Sequence, residues 1–221
     1  GGLDPATTLL ALETVVTAWP IDTERLTEYL VKSAREADEH TSWIAVDTAY
    51  EDALARLADM VVGQASGGDG GGPLVDIIAR TLRPGWARSL AALAVRLTSP
   101  GVPDVYQGTA AFTYSLVDPD NRIEPDWAER RALVERAGSL DGPLAWTGDD
   151  LDAAKAVVIT RTLALRRLRS GAFGPDAGYL ALDVTGERAD AVLAFARCDP
   201  DGPRVVTVVA MREVGDWSGT A

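Results

Sequence analysis

At Gly171 the spacing of apolar residues changes from a helical period to a strand period, so no single kind of element can account for the whole chain. Upstream, the stretch DTERLTEYLVKSAREADEH opens on Asp22 or Thr23 as N-cap and puts Leu26, Tyr29, Leu30, Ala34 and Ala37 on one face. DTAYEDALARLADMVVG does the same from its cap Asp47, turning Tyr50, Ala53, Leu54, Leu57 and Val61 inward and stopping at Gly63. The HTSW link between them, His40 to Trp43, is irregular; Trp43 is expected in the core, and Glu51 and Asp52 on a solvated helix face. Six glycines in the eleven residues from Gly63 to Pro73 predict a flexible loop. From Pro73 to Gly101 two helical segments are expected, broken at Pro84–Gly85. Val102–Tyr106 then reads as a short strand bounded by Gly101 and Gly108. A helix follows with Asp126 as N-cap, Glu129 as capping-box partner and Gly138 as stop, and another ends at Gly171.

Beyond Gly171, GYLALDV, AVLAFAR and RVVTVVAM alternate as three strands joined by TGERAD and CDPDGP, which makes a meander rather than a closed sandwich. The fold class expected is therefore an α+β fragment: a mostly helical part carrying one isolated strand, then part of an antiparallel β domain. The division is expected at 148/149, with residues 1–148 the helical part and 149–221 a linking helix and an incomplete β region. The chain opens on Gly1-Gly2 without Met, which suggests a piece of something longer. No run reaches the length of apolar residues needed to span a membrane. A net charge of −12 argues against nucleic acid, whose phosphates need Lys and Arg. One His and one Cys cannot build a zinc site of the usual kind, so neither metal nor cofactor is expected. The single Cys198 excludes an internal disulfide, fits a reducing cytoplasm, and is expected to be inert.

A helix entering a short strand, then a polar loop and another helix, is one αβα step of a (β/α)₈ barrel. In that fold, strand ends and the loops after them carry the site. Tyr106, Gln107 and the loop to Arg122, with Asp118, Asp120 and Asn121, would then stand at a rim suited to sugar. An aromatic ring takes the apolar face of a pyranose, while amide and carboxylate groups pair its hydroxyls. Asp118-Pro119-Asp120-Asn121 is equally a good turn sequence, and the spacing alone leaves both readings open. His40, near a helix C-terminus, is a weaker sugar-contacting candidate. Glycoside chemistry needs two carboxylates about 5–5.5 Å apart in retaining enzymes, each usually at a strand end. With one barrel-like strand, the chain has no place for the second, so no catalytic residue is assigned.

The G-x-P-x-x-Y-x-G core formed by Gly101, Pro103, Tyr106 and Gly108 resembles the eighth-strand region of the α-amylase superfamily. Taken with LVDPDNR (Leu116–Arg122), AWP (Ala18–Pro20), AREADEHTSW (Ala34–Trp43) and LALRRLRSGAFGP (Leu163–Pro175), it resembles the maltooligosyltrehalose synthase family, over about Leu9 to Arg212. The resemblance implies the last helices and eighth strand of the barrel, then the start of a β-rich C-terminal domain. It also implies an isomerase-type activity, in which the reducing-end α-1,4 bond of a maltooligosaccharide becomes an α,α-1,1 bond. Asp118 and Asp120 would accept from sugar hydroxyls, and Arg122 would fix the loop by pairing a carboxylate. The partners implied are a maltooligosaccharide and the missing N-terminal part of the same enzyme. Ala110, Arg88 and the NRIEPD segment (Asn121–Asp126) depart from the family pattern, at positions bearing on the reducing-end pocket. A non-catalytic helical scaffold, or another α-amylase-superfamily activity, would share parts of this pattern.

Overall fold

The computed structural model describes residues 3–67, 72–118, 120–140 and 151–212. The helices that start at Pro5, Thr23, Thr48 and Trp127 each begin behind an aspartate that closes the first turn. α1 (Pro5–Thr17) begins after Asp4, whose carboxylate accepts from Thr7 N at 2.9 Å, and Pro5 occupies the first turn, where its missing N–H costs nothing. α2 (Thr23–Ala37) is capped by Asp22, which accepts from Arg25 N at 2.8 Å. α3 (Thr48–Ala65) is capped by Asp47, whose Oδ1 accepts from Ala49 N and Tyr50 N, both at 3.0 Å. These caps answer the orphan N–H groups of each helix start, a contribution of about 1 kcal/mol apiece. α3 runs past Gly63 to Ala65, so the expected stop at Gly63 is corrected, and residues 68–71 of the expected Gly-rich loop lie outside the described residues.

The chain divides into two compact units. The first joins Gly1–Leu82 to Tyr114–Ile123. Its core is Ala11 and Val15 of α1, Leu26 and Leu30 of α2, and Leu54, Leu57, Ala58 and Val61 of α3, closed by Leu74 and Ile78. Leu26 with Leu30, and Leu54 with Leu57 and Val61, are the helical stripes the sequence announced, and Ala58 joins the second. Trp43 belongs to none of this: it is 59% exposed, so its expected core position is corrected.

The second unit joins Arg83–Thr113 to Glu124–Ala221. α4 (Pro73–Thr98) is one helix with Pro84 inside it, so the expected break at Pro84–Gly85 is corrected. A single proline removes one ladder bond, and the apolar positions on either side, from Leu74 and Ile78 to Leu93 and Leu97, are buried. α5 (Trp127–Ser139) starts on Asp126, which accepts from Ala128 N and Glu129 N at 2.9 Å each. Glu129 pairs with Arg130 at 2.9 Å. α6 (Leu151–Leu168) packs Ala153, Ala156 and Val157 against Leu133 and Ala137 of α5. The expected boundary at 148/149 lies outside the described residues.

β1 (Gly178–Ala181), β2 (Val192–Asp199) and β3 (Gly202–Ala210) form an antiparallel sheet in the order β1-β2-β3, the meander read from the period-2 stretch. Its register pairs Tyr179 with Arg197, Arg197 with Val205 and Phe195 with Thr207, with an irregularity between Arg197 and Cys198. Phe195 is buried and stacks on Tyr179, centroids 5.2 Å apart. The expected strand at Val102–Tyr106 is not one: this segment joins no ladder. Alternating side chains describe a strand, but only a neighbouring backbone makes one, and here Gly101 O accepts instead from Arg166 Nη2 at 2.7 Å.

Candidate functional site

In the first unit the outward face of α2 lines a cavity of about 270 Å³, with Arg25, Glu28, Tyr29, Lys32 and Arg35 contributed at helical spacing. Leu116, Val117, Asp118, Asp120 and Trp43 form its other walls. Arg25 grips Asp120 with two parallel bonds, Nε to Oδ1 at 3.1 Å and Nη2 to Oδ2 at 2.8 Å, and also donates to Tyr114 O at 2.9 Å. Asp120 Oδ2 accepts in addition from Leu116 N at 2.6 Å. The Arg25 guanidinium holds the Asp120 carboxyl below its ordinary range. Lys32 Nζ donates to Asp118 O, and the Asp118 carboxylate pairs with Arg122. The turn is thus tied to α2 at two points, with Asn121 and Arg122 in a single turn of 3₁₀ helix (Asp120–Arg122).

A second brace holds the link between α2 and α3. Arg35 donates to both Glu51 oxygens, at 2.8 and 2.7 Å, and Glu51 also accepts from the buried Thr41 hydroxyl at 2.8 Å. Thr41 Oγ1 in turn accepts from Asp47 N at 3.0 Å. Arg35 keeps the Glu51 carboxyl below its ordinary range, so Glu51 is an internal anchor and not the solvated residue expected, whereas Asp52 is exposed. The Arg35 guanidinium lies 5.0 Å from the centroid of the Trp43 ring. His40 lines a different cavity, of about 200 Å³, and stacks on Tyr50 with centroids 4.7 Å apart.

Tyr106 and Gln107 belong to the second unit, where they line a groove of about 550 Å³ with Trp127, Arg130, Arg131 and Glu135. Tyr106 is 62% exposed. Gln107 adopts φ +51 and Gly108 φ +70, consecutive left-handed residues that turn the chain sharply. Thr109 closes the turn, its N–H and hydroxyl donating to Tyr106 O at 3.1 and 2.7 Å. Arg130 Nε donates to Gly108 O at 2.9 Å, Lys155 Nζ to Ala111 O at 2.7 Å, and Phe112 N to Asp152 Oδ1 at 2.6 Å. Burial lowers the Lys155 ammonium below its ordinary value. Tyr106 is thereby presented on a rigid turn.

The residues named from sequence therefore fall in three places: Asp118, Asp120, Asn121 and Arg122 on the turn, His40 in its own cavity, and Tyr106 with Gln107 at the groove. Both Asp120 oxygens, expected to accept from sugar, are engaged by the protein itself. What sequence reasoning missed is the charged face of α2 at 25, 28, 32 and 35; Tyr29, read on the apolar face and packed against the core, reaches the same cavity. Among the described residues no group of His, Cys, Asp and Glu is arranged to hold a metal ion, and no helix is long and apolar enough to cross a membrane.

Proteins similar to this chain carry the name maltooligosyl trehalose synthase. A protein of Mycobacterium tuberculosis (strain ATCC 25618 / H37Rv) named "Putative maltooligosyl trehalose synthase" is 34% identical over 203 residues, which are 89% of this chain and 24% of that protein. The solved structure of maltooligosyltrehalose synthase from Arthrobacter ramosus matches with a TM-score of 0.73 at 33% identity, over 91% of this chain and 25% of its own. A further crystal structure of a maltooligosyl trehalose synthase shares the fold at 23% identity, with a TM-score of 0.76, over 93% of this chain and 27% of its own. No family model matches the chain. The chain spans about a quarter of the length of the curated relatives it matches.

Proposed function

We propose that this chain is the C-terminal portion of a maltooligosyltrehalose synthase, a cytoplasmic isomerase-type enzyme that converts the reducing-end α-1,4 bond of a maltooligosaccharide to an α,α-1,1 bond. The observation that carries the reading is similarity along nearly the whole chain at 34% identity, together with a matching fold. Residues 83–140 would supply the last helix–strand–helix step of a (β/α)₈ barrel, Val102–Tyr106 pairing once its neighbouring strands are present. Tyr106 and Gln107 then form part of the sugar-binding rim, the ring stacking on a pyranose and the amide pairing its hydroxyls. Asp118, Asn121 and Arg122 serve the same substrate from the turn, with His40 at the margin, while Asp120 acts by fixing that turn. Among the described residues no two carboxylates stand paired at strand ends, and in this reading the reacting carboxylates belong to the remainder of the parent enzyme.

The test compares the 221-residue chain with the whole parent enzyme on maltopentaose, following loss of the reducing end. The expected result is conversion by the parent and none by the chain. A parent that releases glucose or shorter dextrins without forming a non-reducing product would overturn the proposed activity, and turnover by the chain alone would overturn the division of labour.

A further inference from the structure

Of the residues that line the cavity on the outward face of α2, the substrate contacts proposed above include Asp118 alone. Three cations and three carboxylates line it: Arg25, Lys32 and Arg35, with Glu28, Asp118 and Asp120. Five of the six are already paired within the protein: Arg25 with Asp120, Arg35 with Glu51, Lys32 with Asp118 O and Glu36, and Asp118 with Arg122. Only Glu28, exposed at the wall, has no ion pair or hydrogen bond among the described residues. Such a wall offers no unspent positive charge, so an anionic ligand such as phosphate has little to gain there. What remains available is aromatic surface and a carboxylate acceptor: the Trp43 ring, 59% exposed, and Glu28, with the edge of the half-buried Tyr29 beside them.

The Trp43 ring is also held in place. The link that carries it is anchored inward by the Arg35–Glu51–Thr41 brace, and Ser42 and Ala45 bond each other, Ser42 N to Ala45 O and Ala45 N to Ser42 Oγ, both at 3.0 Å. A large ring fixed from behind and left open in front loses little entropy when something stacks on it. An aromatic face plus a free acceptor and no net charge is the recognition chemistry of a neutral polyol.

We infer that this cavity is a maltooligosaccharide subsite, in which Trp43 stacks on a glucosyl ring, Glu28 accepts from its hydroxyls and Tyr29 forms part of the wall. The substrate class rests on the function proposed above. At about 270 Å³ the cavity suits one end of a sugar chain rather than the whole of it.

Two measurements separate this inference from the proposed function. In the first, the ¹⁵N-labelled chain is titrated with maltotriose to millimolar concentration, and the Trp43 indole N–H resonance, assigned with Trp43→Phe, is followed beside those of the other five tryptophans. A saturable shift at Trp43 that phosphate does not produce is expected; an unmoved Trp43 resonance overturns the subsite. In the second, the parent enzyme carrying Trp43→Leu is expected to raise KM for maltopentaose about fivefold, with kcat within twofold and Tm unchanged. Glu28→Gln should raise KM by a smaller factor, and Trp43→Phe should restore most of the loss. An unchanged KM, or a rise accompanied by a lower Tm that Phe does not correct, overturns the assignment in favour of a structural role. If Trp43 shifts with maltotriose while the wild-type parent makes no rearranged product, the subsite stands and the proposed function falls.

Discussion

The bidentate contact between Arg25 and Asp120 joins residues 95 positions apart and determines whether Asp120 is a clamp or a free sugar ligand. A double-mutant cycle with Arg25→Ala and Asp120→Ala measures it. The two side chains are 29% and 17% exposed, so the pair is partly shielded from water. A fully exposed pair contributes about 0–1 kcal/mol, while a hydrogen bond to a charged group nets about 1.5–3 kcal/mol. Two parallel bonds in this intermediate setting should give a coupling of about 1.5 kcal/mol. Asp120→Ala also leaves Leu116 N without its acceptor, adding about 1 kcal/mol, so that variant should lose about 2.5 kcal/mol in all. Arg25→Ala should lose about 2 kcal/mol, since the bond to Tyr114 O goes with it. Urea unfolding of the four proteins by circular dichroism supplies the energies, and hydrogen exchange at the Leu116 amide reports the turn directly. A coupling below about 0.3 kcal/mol, the usual limit of additivity, with unaltered Leu116 exchange in Asp120→Ala, would refute the clamp and return Asp120 to the pool of free acceptors.

Gly108→Ala should destabilise the second unit by about 3 kcal/mol, because overpacking adds to the left-handed backbone penalty: its Cβ would sit 2.5 Å from Pro125 Cβ at φ +70. Gly67→Ala, at φ +79 with nothing within 4 Å, should cost only about 1 kcal/mol, and equal losses in urea would refute the packing argument. Arg197 is 3% exposed, bonds Ala172 O at 3.2 Å and leaves Nη1 without a partner, so Arg197→Met should stay within about 1 kcal/mol of the parent or exceed it. A loss above about 3 kcal/mol in that variant would mean the guanidinium has a counter-charge. Asp120 and Glu51 titrate below their ordinary values of 3.8 and 4.5 because Arg25 and Arg35 hold them, so both stabilise the first unit above those values. That stability is lost as pH falls through their lower folded values. Glu51→Gln and Asp120→Asn should therefore flatten the acid limb of a stability–pH curve below about pH 4, and an unaltered limb would contradict the assignment.

What was legible in the sequence was local. Asp22, Asp47 and Asp126 could be read as caps because a cap needs only the three residues that follow it, and each one closes its first turn. The meander after Gly171 was legible for the same reason, its period and its turns lying side by side in the chain. Pro84 failed because its local cost is set against burial at Ile78 and Leu93, on either side of it. Val102–Tyr106 failed because a strand is a relation between two segments, and the sequence around one of them carries no information about the other. The cavity face of α2 is the instructive case. Residues 25, 28, 32 and 35 make as regular a stripe as Leu26 and Leu30 do, but charges on a helix ordinarily mean water. The sign of that inference is reversed some ninety residues downstream by Leu116, Val117, Asp118 and Asp120, which wall the stripe and pair Arg25. Trp43 was misassigned by the same logic run backwards: an aromatic ring beside a helix ordinarily means core, yet here the polar brace behind it takes the inner place and leaves the ring in front. Both errors fall at one cavity. Departures from local expectation that converge in space are where a fold diverts residues from stability to binding, and that convergence, more than any one of the residues, is the physical ground for taking the α2 face as a site.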